Sequence, residues 1–332
     1  MEKNNLLPFE KHKRQILIRK KAETSDKFGC IPENMPVKEL INYGIVNIDK
    51  PSGPTSHQVS DYVQKILSIS KAGHSGTLDP GVTGVLPLAI GRATRVVQLL
   101  LTAGKEYIAL MHVHKDVSEN KITEVCSKFV GRIDQIPPIK SAVKRRKRQR
   151  SVYYIDIMEI NERDVLFKVG CEAGTYIRKL IHDIGKQLGC GAHMVELRRT
   201  KAGPFNELTN LVTMQDLTDA FYYFNEEKNE KYIRYCIQPI EEAVEHLLKI
   251  YVLDSAVDSL CHGANLNLPG ISQLDSGIEK QDIVAVMTLK KELICYGIAK
   301  MSSKEMLGEK GLAVKTDKVF MLPGTYPKIE KS

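Results

Sequence analysis

Residues 73–84, Gly73-His74-Ser75-Gly76-Thr77-Leu78-Asp79-Pro80-Gly81-Val82-Thr83-Gly84, set four glycines and a proline around one carboxylate, Asp79. Glycines at this density let a backbone turn tightly or enter left-handed conformations that other residues reach only under strain. The apolar run Val85–Ile90 that follows reads as a buried element. A phosphate loop would continue from its glycines into Lys-Ser/Thr and a helix, and no lysine follows here. A nucleophile elbow needs glycine where Thr77 stands. Asp79 is therefore either a reacting group or a turn former, and these residues alone leave both open.

At 332 residues the chain has room for a large domain and a small one. From Gly44 strand-like runs (Gly44–Ile48, Glu106–His114, Ser151–Ile160, Val165–Gly170) alternate with helical ones (His57–Leu67, Ala93–Leu101, Ser118–Phe129, Tyr176–Leu188, Met214–Phe224). The mixture predicts an α+β domain with a mixed sheet. Residues 1–42 lack clear periodicity apart from a short helix near Val37–Asn42 and read as an extended arm. The charged run Asn225–Lys231 reads as a core-free bridge, and Pro239 is expected to open a helix through about Leu248. Beyond Ile250 short strands and Gly/Pro turns predict a small β-barrel. The expected boundaries are 1–42, 43–248 and 249–326.

The net charge of +8 is unevenly spread. Lys140 and Lys144-Arg145-Arg146-Lys147-Arg148-Gln149-Arg150 form a dense basic segment after Pro137-Pro138, and Lys11, Lys13, Arg14, Arg19, Lys20 and Lys21 form another. Like charges at this density repel one another unless a polyanion neutralises them, so Lys144, Arg145, Arg146 and Arg148 are expected to meet RNA phosphates. A nuclear-localisation signal fits the same string. The seven cysteines are odd in number and show no Cys-x-x-Cys pair, which argues against a disulfide framework and a zinc site. No apolar stretch of membrane-spanning length and no secretory signal is present, so an intracellular protein is expected.

Several blocks extend the pattern: Asn47-Ile48-Asp49-Lys50-Pro51-Ser52-Gly53-Pro54-Thr55-Ser56-His57, Gly104-Lys105-Glu106-Tyr107, Gln135-Ile136-Pro137-Pro138, Gly174-Thr175-Tyr176-Ile177-Arg178, and Leu197-Arg198-Arg199-Thr200. With the Asp79 loop, and in this order over roughly residues 28–325, they resemble the TruB/dyskerin family of pseudouridine synthases. The likeness is strongest to the archaeal enzyme of H/ACA guide-RNA particles. The resemblance implies a mixed-sheet catalytic domain followed by a PUA barrel. It implies that Asp79 acts at the ribose, as nucleophile or as base, while uracil is released and re-attached through C5. One carboxylate suffices, because the leaving base is retained and no water attacks.

Arg178 is the implied partner of Asp79 and Tyr107 the stacking residue for a flipped base. Tyr176 and Leu197 match pocket positions. Lys50 is expected to support the loop or meet a phosphate, and His74 to be structural or to touch RNA. No cofactor or metal is implied. The implied partners are transfer or ribosomal RNA, an H/ACA guide RNA, a small zinc-ribbon protein, a small β-barrel protein and a kink-turn-binding ribosomal protein. The implied setting is cytoplasmic for an archaeal type, nucleolar for a eukaryotic one. Gln281 stands where the family often has glycine. A non-catalytic RNA-binding scaffold remains the competing reading, and Asp79, Arg178 and Tyr107 tell the two apart. A zinc deaminase would need His-x-Glu and Pro-Cys-x-x-Cys, and neither occurs.

Overall fold

The computed structural model describes residues 5–136 and 146–328. An eleven-stranded sheet forms the larger part. Its main path runs Leu211–Val212, Gly44–Lys50, Thr83–Ile90, Ala192–Ala202, Lys105–Val113, Asp164–Cys171, Arg148–Asn161, Gly131–Gln135. Thr83–Gly84 pair in parallel with Arg198–Arg199, and Leu211–Val212 with Asn47–Ile48, while the other pairs are antiparallel. The sheet is mixed, as the alternation of elements predicts.

Two apolar clusters cover this sheet. One gathers Ile45, Ile48, Val59, Val63, Leu86 and Leu88 around the strands that carry the Asp79 loop. The other packs Leu180, Ile181 and Ile184 of the helix Ile177–Leu188 against Val165, Phe167 and Val169. That helix presents apolar residues at helical spacing to the sheet and stops at Gly189, whose φ of +81° supplies a left-handed C-terminal cap.

The expected small barrel is a seven-stranded sheet around its own core, in the order Ile16–Ile18, Ile271–Asp275, Leu248–Val252, Ile283–Met287, Leu293–Ala299, Leu312–Val319, Leu266–Asn267. Its first strand comes from the N-terminal arm. The arm is not a loose extension: Leu7 is fully buried, and the Ser25 amide and Thr24 hydroxyl donate to Asp254. Gln281 has φ of +77°, a conformation that suits the family's glycine better than a glutamine.

The run Asn225–Lys231 links the helix Met214–Glu227 to the one starting at Lys231 and buries none of its residues, as expected of a core-free bridge. Two local expectations need correction. After Pro239 the chain makes only a 3-10 turn, Ile240–Val244, and then enters the strand Leu248–Val252. The central strand Ala192–Ala202 has no counterpart among the expected strands.

Candidate active site

The turn Asp79-Pro80-Gly81-Val82 closes with a hydrogen bond from the Val82 amide to the Asp79 carbonyl at 3.0 Å. Proline presets φ at the first corner of such a turn. Three side chains then fix the loop from behind. Lys50 is fully buried and its ammonium donates to the carbonyls of Pro51, Pro80 and Val82 at 2.8, 3.0 and 2.8 Å. Ser56, also fully buried, grips Leu78: its Oγ accepts from the Leu78 amide at 2.8 Å and donates to the Leu78 carbonyl at 3.3 Å. Arg199 donates Nε–H to the Val85 carbonyl at 2.7 Å and both terminal nitrogens to the Gly76 carbonyl at 3.3 Å. Gly84, at φ +100°, passes so close to the next strand that a Cβ there would lie 2.2 Å from the Arg199 carbonyl oxygen.

On the opposite side, Arg178 stands second in the helix Ile177–Leu188 and donates from Nη2 to Asp79 Oδ2 at 2.6 Å. The two side chains are 63% and 56% exposed, so the pair lies open to solvent. In the free protein water reaches both charges. Tyr107 is half-buried on the strand Lys105–Val113, in register with Arg199. Burial raises the phenol's pKa and Arg199 opposes the rise. Arg199 thus neighbours Tyr107 on the adjacent strand and also holds Gly76, in the loop that carries the carboxylate.

Family models match almost the whole chain in order. The DKCLD (NUC011) domain covers residues 4–60, the TruB family pseudouridylate synthase N-terminal domain 64–177, the tRNA pseudouridylate synthase B C-terminal domain 178–245, and the PUA domain 248–320. The chain belongs to the TruB family of pseudouridine synthases. It is 59% identical over 324 residues to the probable tRNA pseudouridine synthase B of Nanoarchaeum equitans, covering 97% of this chain and 92% of that one. It is 57% identical over 330 residues to the protein of the same name from Pyrococcus horikoshii, covering 99% and 98%. Among solved structures, a Cbf5-Nop10-Gar1 complex contains a chain with TM-score 0.93 and 56% identity, covering 98% of this chain and 99% of that one. A chain from an H/ACA RNP bound to a substrate RNA containing 2′-deoxyuridine gives 0.92 and 54%, with the same coverage.

In this TruB-family chain the remaining expected residues fall around the cleft in different ways. Leu197 lies two residues before Arg199, paired with Ala109, and packs with Tyr107 against the same apolar cluster. Tyr176 is the residue on which the Arg178 helix begins. Lys50 points away from any ligand, since all three of its protons go to carbonyls. His74 lies edge-on to His57, ring centroids 4.7 Å apart, and its Nδ1 accepts from the Gly76 amide. Burial, then the neighbouring His57, lowers its pKa to about 4, so His74 is neutral at physiological pH. Of the basic segment, Arg146 is exposed and Arg148 begins a strand, while Lys140, Lys144 and Arg145 lie outside the described residues.

Ser56, Arg199 and Gln135 are the parts the sequence analysis gave no role. Each stands inside a block quoted for the resemblance, yet only the folded geometry reveals what it holds. Among the described residues no group of three or more His, Cys, Asp or Glu is arranged to hold a metal.

Proposed function

We propose that the chain isomerises uridine to pseudouridine in RNA, at uridine 55 of the transfer-RNA TΨC arm and, with an H/ACA guide RNA, in ribosomal RNA. The observation that carries the site assignment is the Asp79–Arg178 pair at 2.6 Å, one partner on a loop fixed from behind and the other on a helix start. The target base leaves its stack and lies against Tyr107, with Leu197 and Tyr176 completing the apolar walls. Asp79 acts at the ribose, either by bonding to C1′ or by taking a ribose proton, and the N1–C1′ bond breaks. The uracil turns, C5 bonds to C1′, C5 loses its proton and N1 gains one, and the carboxylate returns unchanged. Arg178 aims the carboxylate and balances its charge, and bound RNA supplies the dryness that the open cleft lacks.

The proposed partners are guide RNA, a zinc-ribbon protein, a small β-barrel protein and a kink-turn-binding protein. The Cbf5-Nop10-Gar1 complex and the substrate-bound H/ACA RNP, at over 50% identity, support this reading. We take 1–42 as the arm, 43–248 as the catalytic domain and 249–326 as the RNA-binding barrel. No helix among the described residues is long and apolar enough to cross a membrane. Archaeal relatives favour work in the cytoplasm. Tritium release from 5-labelled uridine, in transfer RNA alone and in ribosomal RNA with guide and partner proteins, tests the proposal. Asp79→Asn should lower single-turnover release by on the order of 10³-fold or more with RNA affinity nearly unchanged. Near-native release by that variant would end the mechanism.

A further inference from the structure

The two halves of the reacting pair are held by the same device. Ser56 grips both backbone groups of Leu78, one residue before Asp79. Gln135 does the same for Tyr176, two residues before Arg178. Its Oε1 accepts from the Tyr176 amide at 2.9 Å, and its Nε2 donates to the Tyr176 carbonyl at 3.1 Å. That carbonyl also receives the first bond of the helix, from the Leu180 amide at 3.0 Å. Tyrosine has no side-chain oxygen placed to cap its own helix, so an amide 41 residues away sets where the first turn begins.

Gln135 is only 2% exposed and ends the strand Gly131–Gln135, opposite Arg148. The turn before Tyr176 is laced to the same strand pair. Glu172 accepts from the Ser151 amide and pairs with Arg150, and the Thr175 hydroxyl donates to the Glu172 carbonyl. We infer that Gln135 is a positioning residue for this isomerisation, fixing Arg178 against Asp79 through the backbone of Tyr176. The inference rests on the function proposed above. Arg178 is more than half exposed, so among the described residues little packing holds its side chain. Its aim is therefore set by the helix start, and a slip of about 1 Å in such a group costs on the order of 100-fold in rate.

The test is a double-mutant cycle on the full-length protein, read by single-turnover tritium release at saturating transfer RNA and by RNA affinity. Gln135→Leu should slow release about 10- to 100-fold with the dissociation constant unchanged within about twofold. In an Arg178→Ala background the same substitution should change the rate less than about twofold, because its target is gone. Equal losses in both backgrounds, or a native rate for Gln135→Leu, would overturn the inference. If Gln135→Leu does not fold, Gln135→Glu serves in its place. A carboxylate accepts from the Tyr176 amide but cannot donate to its carbonyl, whereas a protonated carboxyl does both. Its rate should therefore fall at high pH and recover on acidification relative to the wild type, and a flat ratio would overturn the inference. An active Asp79→Asn control would instead overturn the reading of the site itself.

Discussion

The supports of the Asp79 loop and the junction with the terminal barrel use buried charge in different ways. Behind the Asp79 loop three buried cations grip carbonyls: Lys50, Arg199, and Lys105, which donates to Leu100 and Ala103 at 2.7 Å each, beside one buried acid, Glu106, which accepts from the Tyr154 and Thr200 hydroxyls. At the junction and within the barrel most of the buried charges are acids that grip N–H and O–H groups, with Lys249 the buried cation among them. Glu241 takes the Leu293 amide at 2.8 Å, Glu292 takes the Cys30 amide and the hydroxyls of Thr288 and Tyr326, and Asp275 takes the Lys249 amide. Burial disfavours the charge on all three cations, lowering the pKa of each and bringing Lys105 to about 7. The contrast also divides tasks. The charges proposed to act on the substrate, Asp79 and Arg178, stand in water, and the buried ones hold backbone groups and hydroxyls in place.

The largest effect should separate chemistry from stability. Arg178→Ala is expected to slow single-turnover isomerisation by about 100-fold or more. Its melting free energy should shift by no more than about 0.5 kcal/mol, since an exposed pair adds little to stability. A large loss in a calorimetric melt would place Arg178 with the buried cations instead. Lys50→Met should do the reverse at first sight, destabilising by about 2–4 kcal/mol because three carbonyls lose their donor. Activity measured well below the melting temperature should fall too, through the loosened Asp79 loop.

The two regions should also answer pH in opposite directions. Burial raises Glu241 to about 7, above its unfolded value. Its contribution is fully present below the unfolded pKa and is lost as pH rises through about 7. Burial lowers Lys105 to about 7. The unfolded chain therefore binds more protons between there and the usual lysine value, and this group's contribution grows as pH rises across that window. Denaturant melts of Glu241→Gln should show a gain over wild type that appears between pH 5 and 8, on the order of 2 kcal/mol. Melts of Lys105→Gln should instead lose the wild type's rise between pH 7 and 10. Parallel curves for variant and parent would erase the distinction.

The smallest change probes the barrel alone. Gln281→Gly should stabilise by up to about 1 kcal/mol, by relieving a left-handed residue that carries a Cβ.

The Asp79 loop was legible because its requirements are local: a Pro-Gly turn, a glycine under a crossing strand, an apolar run behind. The strand Ala192–Ala202 was not, although it lies in the middle of the sheet. Its Arg198-Arg199 pair looks solvated, yet Arg198 forks onto Asp49 at 2.9 and 3.1 Å while Arg199 is buried. What makes that burial tolerable is a set of carbonyls more than a hundred residues away, which no local pattern announces. Gln135 was hidden for the same reason, since its partner is a backbone and not a side chain. The helix expected after Pro239 failed because Leu248–Val252 answers to the barrel it joins and not to its own propensity.

The outermost strand of the terminal sheet is supplied from the far end of the polypeptide. Ile16–Ile18 pair with Gln273–Asp275, and Gln15 meets Ser276 across 261 residues of chain. During synthesis this segment leaves the ribosome long before its partner strand does, and it waits about 250 residues before it finds its place. Until then Ile271–Asp275 shows a bare edge, the kind that another copy's strand can occupy. A chain beginning after residue 27 would keep that edge permanently open, and self-association in concentrated solution is what it should display.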